Sequence, residues 1–226
     1  MILIVCLFVK KWRKTVQMII ERYESNLFFS NMYMIKQGNH MIIIDPFQIH
    51  FDVGSFDVDK IILTHEHYDH ISGVNYWKSM CDAPVLCSRV CSERIHNPST
   101  NIAKYFKEFC QLQTWVKLDS IPDSNPDYIC YADETFEDEH IFEWEAHTFK
   151  LFEMPGHSLG SIGILLDDSH FFSGDSLLEN MEIELRVPGG RKKKWKEIGE
   201  PRLKSIPNGV IVHPGHFKEF KYIQKI

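Results

Sequence analysis

The sequence predicts an α/β fold with a metal site on one rim of a stack of sheets. Three observations carry this expectation. Short apolar runs that read as buried strands, such as Ile42-Ile43-Ile44, Ile61-Ile62-Leu63 and Gly209-Val210-Ile211-Val212, alternate with stretches of helical spacing. Asp45, His65, His157, Asp175 and His216 each follow an apolar run. Thr64-His65-Glu66-His67-Tyr68-Asp69-His70 places His65, His67, Asp69 and His70 directly after one such strand. Side chains leaving the same end of neighbouring strands converge on one rim, which a site built from distant residues requires.

Residues 18–45 open the domain. The clusters Met18–Ile20, Leu27–Phe29, Met32–Ile35 and Met41–Ile44 are separated by Ser25-Asn26, Ser30-Asn31 and Gln37-Gly38-Asn39-His40, a pattern of antiparallel strands joined by hairpins. Gly38-Asn39 can supply the positive φ of a tight turn. Asp45, before Pro46, reads either as a turn residue or as a support for the metal ligands. Residues 46–60 form a linker. Ile71 to Met80 has helical spacing, with Ile71, Val74 and Trp77 on one face and Gly73 free to bring that helix close to the metal loop. Pro84–Cys87 is a strand, Ser88–Ile95 a helix, residues 97–101 a loop and Ile102–Cys110 a helix.

Residues 112–127 are loop-rich, with Pro122 and Pro126 as breakers. Strand signals return at Tyr128–Tyr131, Ile141–Trp144 and Thr148–Met154, the last stopping at Pro155-Gly156-His157-Ser158. A hairpin about Asp167-Asp168-Ser169 ends at Ser173-Gly174-Asp175. A basic helical stretch, roughly 191–206, follows Pro188-Gly189-Gly190. The final strand leads to His213-Pro214-Gly215-His216. Gly156, Gly174 and Gly215 are expected to let the backbone bend sharply beside each ligand.

With 226 residues, 44% of them hydrophobic, the chain is sized for one domain with a substantial core, expected over 18–226. Residues 1–17 read as an extension: Met1–Val9 is apolar apart from Cys6, and Lys10-Lys11-Trp12-Arg13-Lys14 follows, the reverse of a secretory signal. No run of about 18 apolar residues predicts a membrane span. A net charge of −6 sets no basic field for nucleic acid, so a small-molecule substrate is the expected partner. The six scattered cysteines, without a Cys-x-x-Cys pair, read as reduced structural thiols of a cytoplasmic protein. Oligomeric state is not legible.

Imidazole and carboxylate donors suit Zn²⁺, Mn²⁺ or Fe²⁺. His65, His67, Asp69, His70, His157, Asp175 and His216 are more ligands than one tetrahedral zinc can use. Two divalent ions sharing a carboxylate can use them all. His65, His67 and His157 would hold one, Asp69, His70 and His216 the other, and Asp175 would stand between them. His40, His50, His96, His140 and His170 read as surface residues; His213 is a candidate neighbour of the site because it lies so near His216.

These residues resemble the metallo-β-lactamase superfamily. Its signature His-x-His-x-Asp-His is met by His65, His67, Asp69 and His70, and Asp45, His157, Asp175 and His216 follow in the family's order. The resemblance implies a four-layer αββα sandwich of mixed sheets with the metals at one rim, and metal-dependent hydrolysis with zinc as the usual ion. Within the superfamily the chain is most similar to the short relatives of hydroxyacylglutathione hydrolase (glyoxalase II), through Asn97-Pro98-Ser99-Thr100-Asn101 and Arg186 with Pro188-Gly189-Gly190. It departs from them at Leu159, where Pro often follows the third ligand, and at Leu185, where Gly precedes the arginine. The C-terminal helices that grip glutathione do not follow His216, which turns the expectation away from glutathione thioesters. Asp175 stands where some zinc β-lactamases carry Cys.

The expected chemistry is attack by a metal-bridging hydroxide on a small ester or thioester, with Asp69 orienting the hydroxide and relaying its proton. A thiolate leaves without protonation, since free thiols have a pKa near 8.5. Tyr68 is expected to pack rather than donate a proton. Two alternatives stand beside this one. The first is an iron-dependent persulfide dioxygenase-like oxidoreductase. The second is a phosphodiesterase or RNA-processing nuclease, whose support is the run Arg191-Lys192-Lys193-Lys194-Trp195-Lys196.

Overall fold

The computed structural model describes residues 17–50, 54, 56–112 and 123–224; residues 1–16 of the expected extension, with Cys6, lie outside them, as does Pro122. One six-stranded sheet runs in the order β1 (Ile19–Glu24), β2 (Asn31–Gln37), β3 (His40–Ile44), β4 (Asp57–Ile62), β5 (Val85–Ser88), β6 (Glu134–Phe136). The other runs from β12 (Phe220–Lys221) through β11 (Ile211–Pro214), β10 (His170–Gly174), β9 (Ile162–Leu166) and β8 (His147–Glu153) to β7 (Glu139–Trp144). Both are mixed: β1–β2–β3 and β7–β8–β9–β10 pair antiparallel, whereas β3–β4–β5–β6 and β10–β11 pair parallel.

Period-two alternation sorts the side chains into layers. Tyr33, Ile35, Ile42, Ile44, Ile62 and Leu86 of the first sheet meet Phe149, Leu151, Ile162, Ile164, Leu166 and Phe172 of the second. Their neighbours Met32, Met34, Met41, Ile43, Ile61, Val85 and Cys87 point the other way, into a core shared with Val74, Trp77, Cys91, Ile95 and Phe106. Those residues lie on α2 (Val74–Cys81), α3 (Arg89–Ile95) and α4 (Phe106–Gln111). The outer face of the second sheet, with Phe152, Leu165, Phe171 and Val212, is covered by Trp195, Ile206 and Tyr222. Trp195 opens a π-helical turn, Trp195–Gly199, between α5 (Lys192–Lys194) and α6 (Glu200–Lys204). The layers are therefore αββα, as the resemblance implies.

Four expectations change. Leu27–Phe29 is a turn rather than a strand, with left-handed backbones at Phe28 and Phe29. Tyr128–Tyr131 is not a strand: Asn101 Nδ2 donates to the Tyr128 carbonyl and Cys130 N to that of Ile95, so loop contacts satisfy this backbone. β6, beginning at Glu134, pairs with β5 instead. The helix expected over Ile71–Met80 is two pieces, α1 (Tyr68–Ile71) and α2, interrupted at Ser72-Gly73. Gly73 approaches not the metal loop but the backbone of Phe47, which an added Cβ would strike, and its N–H donates to the Pro46 carbonyl. Among the described residues no helix is long and apolar enough to cross a membrane.

His213 packs between the sheets, stacked on Phe172 at 4.6 Å and edge-on to Tyr33, with Nε2 3.0 Å from His170 Nδ1. Burial, and then the charge on His170, push its pKa down to about 3. The unfolded chain, with an imidazole pKa near 6.5, binds this proton first. The stability that neutral His213 contributes is therefore present above about pH 6.5 and is lost as pH falls from there toward 3. His213→Leu is expected to lose less Tm than the wild type between pH 7 and pH 5. Identical losses would show that this imidazole is not held neutral.

Candidate metal centre

The parallel strands β3 and β4 end side by side, and Asp45 N donates to the Ile62 carbonyl. The chain then runs extended through Thr64-His65-Glu66-His67 and turns into α1, which delivers Asp69 and His70. The His-rich stretch is thus a loop followed by one helical turn. His157 follows β8, Asp175 follows β10 and His216 follows β11, all at the same rim. Backbone bonds lock the rim: Thr64 O accepts from Ile162 N, and Asn31 N donates to the Gly215 carbonyl.

All seven expected ligand residues come together. Donor atoms of His65, His67 and His157 lie within 4.8 Å of one another, and so do those of Asp69, His70 and His216. Asp175 stands between the two sets. Its Oδ1 is 3.4 Å from His70 Nε2, and its Oδ2 is 3.4 Å from His157 Nε2 and 3.3 Å from His216 Nε2. Among the described residues no other histidine joins the cluster, and His213 faces the inter-sheet core. Tyr68 packs edge-on against Phe106 and Tyr128, and its hydroxyl accepts from Asn125 N.

Four of the imidazoles, His65, His67, His70 and His157, are oriented by the partner of the outer nitrogen, which fixes the tautomer where that partner only accepts. His67 Nε2 lies 3.0 Å from the Pro188 carbonyl, and His157 Nδ1 lies 3.0 Å from that of Glu184. A carbonyl only accepts, so these nitrogens carry the protons and His67 Nδ1 and His157 Nε2 are bare. Thr64 Oγ1 donates to Asp45 Oδ2, leaving its oxygen to accept from His65 Nδ1 at 3.0 Å. His65 Nε2 is therefore bare as well. Three lone pairs face one another, with His67 Nδ1 only 3.1 Å from His65 Nε2 and 3.0 Å from His157 Nε2. Such an arrangement repels itself without a cation. Asp175 Oδ1 is buried without a hydrogen-bond partner, a second open valence aimed at the cluster. Both observations fit a metal.

Asp45 resolves as a support. It accepts from Thr64 N at 2.7 Å and lies 3.1 Å from His70 Nδ1, so it steers His70 directly and His65 through Thr64. It takes a left-handed backbone, φ 51°. Of the three glycines beside ligands only Gly174 has positive φ, at 49°, where a side chain would also strike Thr64. Gly156 and Gly215 are needed for space instead, against Trp195 and the Asp175 carboxylate.

Burial opposes charge throughout the site. It pushes the pKa of His157 down to about 3 and that of His65 well below the ordinary imidazole range. Burial acts the same way on His70, but the carboxylates of Asp69, Asp175 and Asp45 outweigh it and raise His70 to about 10. Burial would raise Asp175, yet the surrounding His216, His70 and His157 hold it well below the carboxylate range. Burial therefore keeps His65 and His157 neutral, whereas on the other side the facing carboxylates favour the protonated forms of His70 and His216.

Sequence reasoning missed Glu66. Its side chain is fully buried on the far side of the loop, where it accepts from Arg94 Nε, from Ser158 Oγ at 2.7 Å and from Gly160 N at 3.2 Å. It thus ties the His65/His67 loop to the loop carrying His157. Its place between two inward-facing residues of an extended segment was the available signal. The cavity over the cluster draws on Phe28, Ile102, Phe109 and Phe217 as well as on residues 178–187.

Comparison with known proteins agrees with this geometry. A family model described as the metallo-beta-lactamase superfamily matches residues 25–216. The chain is similar to a probable metallo-hydrolase of Streptococcus pyogenes serotype M6, 23% identical over 89% of this chain and 85% of the relative. It is also similar to the hydroxyacylglutathione hydrolase of Wigglesworthia glossinidia brevipalpis, 28% identical over 69% of this chain and 46% of that enzyme. The fold matches the crystal structure of BLEG-1 B3 metallo-beta-lactamase with a TM-score of 0.73, at 21% identity, covering 90% of this chain and 94% of the other.

Proposed function

Since the chain belongs to the metallo-beta-lactamase superfamily, we propose that it is a hydrolase of a small ester or thioester, holding two divalent ions, zinc in the first instance. His65, His67 and His157 would hold one, Asp69, His70 and His216 the other, with Asp175, which faces both sets, available to either. The supporting observation is the trio of bare imidazole nitrogens beside a carboxylate that faces both sets. When bound, such ions supply Lewis acidity, lowering the pKa of water toward about 7 and polarising a carbonyl.

The chain's own groups do the rest. Asp69 lines the cavity, with Oδ2 3.4 Å from His70 Nε2 and 3.5 Å from His216 Nε2, and it orients the attacking water and accepts its proton. The leaving group finds little help: Arg186 binds Glu184, also in the cavity wall, and holds its pKa down to about 2, so Glu184 is ionised at neutral pH. A thiolate or activated alkoxide can leave without an acid; an amine cannot. The five described cysteines are unpaired, and four of them are buried, which suits a cytoplasmic protein.

The test is metal analysis joined to turnover. Chelation is expected to abolish thioester hydrolysis, and two equivalents of zinc per chain to restore it, with thiol release as the readout. A single bound iron with oxygen uptake, or turnover confined to phosphodiesters, would sink the proposal.

A further inference from the structure

The walls of the cavity over the cluster are built at a conformational cost. Phe28, Ile102 and Phe217 all line it, and all three have left-handed backbones, with φ of 62°, 64° and 67°. Bulky and β-branched residues rarely adopt this region, and strain of this kind persists only where the surroundings over-determine it. Here they do. At Phe28, Ser25 N donates to the Ser30 carbonyl, and both Ser25 Oγ and Ser30 Oγ donate to the Leu27 carbonyl. At Ile102, the buried Asn101 side chain donates to the carbonyls of Ile95 and Tyr128 and accepts from Ala103 N. At Phe217, Asn31 Nδ2 donates to the carbonyls of Phe217 and Pro214. Three separate polar networks thus hold three apolar side chains around one cavity. Phe28 stands edge-on to the His216 ring at 5.7 Å, and Phe217 lies 6.3 Å from the same ring.

The charges of the cavity point the same way. Beyond the metal-ligand candidates Asp69 and Asp175, its lining adds Glu182 and Glu184 but, among the described residues, no lysine or arginine. An adjoining groove shares Phe109, Glu184 and Val187 with it and continues past Tyr105. Arg186 lies on that groove, but Glu184 engages it through two hydrogen bonds, Nε to Oε1 at 3.0 Å and Nη2 to Oε2 at 2.8 Å. Away from the ions that Asp69 and Asp175 would hold, a substrate arm carrying carboxylates or phosphates would meet Glu182 and the Arg186–Glu184 pair, with no unpaired cation among the lining residues.

We propose that Phe28 and Phe217, backed by the buried Ile102, form a clamp for an uncharged apolar acyl group, and that the cavity selects esters or thioesters whose other arm is neutral or cationic rather than anionic. This inference rests on the hydrolase reading of the same cavity. It assigns Phe28 and Phe217 to specificity, with Ile102, 1% exposed, belonging to the core beneath the wall against which Phe109 also packs.

Calorimetric titration of the zinc-loaded protein with ketone analogues of thioesters, in which CH₂ replaces sulfur, tests recognition without turnover. An eight-carbon acyl analogue is expected to bind at least ~10-fold tighter than its two-carbon counterpart, roughly the effect of two fully buried methylenes. Analogues with a neutral or trimethylammonium terminus on the other arm are expected to bind at least ~10-fold tighter than the carboxylate. Phe217, 44% exposed, provides the cleanest variant. Phe217→Gly relieves the backbone, so Tm is expected to be unchanged or higher while the chain-length preference shrinks, a combination that a purely structural role would not produce.

Equal binding of short and long chains, tighter binding of the carboxylate, or an undiminished preference in Phe217→Gly would overturn the inference. Hydrolysis of the matched thioesters separates the two claims. Chain-length preference in binding with no turnover supports the clamp and sinks the hydrolase. Turnover that is indifferent to chain length and charge sinks the clamp alone.

Discussion

Asp175→Ala is expected to leave the protein with no more than one tightly held metal ion and to lower thioester hydrolysis by about 1,000-fold. Asp175 is the carboxylate that reaches both sets of histidines, with one oxygen beside His70 and the other beside His157 and His216. Groups that merely orient metal ligands are typically worth about 10–100-fold in affinity, and a shared ligand carries more. Loss of the second ion removes half of the Lewis acidity and the negative charge set between the imidazoles. Elemental analysis after gel filtration, paired with turnover, provides the check. A variant with two bound ions and activity within tenfold of the wild type would remove Asp175 from the bridging position. Far-ultraviolet circular dichroism separates that result from simple unfolding.

Arg94→Met is expected to destabilise the protein by about 3 kcal/mol and to lower Tm by roughly 6–12 °C. Glu66 is fully buried, and Arg94, with its side chain 18% exposed, is its cationic partner. Ser158 and Gly160 also donate to the carboxylate but bring no charge. Without Arg94 a carboxylate remains inside the protein with nothing to balance it, which is why breaking such a pair costs far more than the pair itself is worth. The double variant Glu66→Leu with Arg94→Met is expected to recover most of the loss in Tm, because it removes the stranded charge. It is not expected to recover full metal affinity, since Glu66 also ties the His67 loop to Ser158, the neighbour of His157. Thermal unfolding of the single variant within 1 kcal/mol of the wild type would show that solvent reaches Glu66.

Much of this architecture was legible before any coordinates. Strand alternation in Met32–Ile35 and Met41–Ile44 sorts residues onto two faces because the side-chain period is two, and both faces proved to be buried. The ligand candidates could be picked out because few residue types bind divalent ions and because each stood after an apolar run. Tyr128–Tyr131 was misread for the converse reason. Apolar and aromatic residues mark burial, but hydrogen bonds from Asn101 Nδ2 and Cys130 N, which no local pattern announces, kept this segment out of the sheet.

The sequence by itself determined which side chains could reach the rim and what kind of ion suits them, because donor chemistry belongs to the residue and strand ends can be read from periodicity. Only the tertiary structure decided which nitrogen of each imidazole faces inward. That choice rests on the carbonyls of Pro188 and Glu184, 121 and 27 residues away along the chain from the rings they hold, and every residue carries such a carbonyl. It also decided the Glu66–Arg94 pair and the wall of Phe28 and Phe217 backed by Ile102, since contacts made by distant segments depend on how the layers pack and leave no periodic trace in the chain.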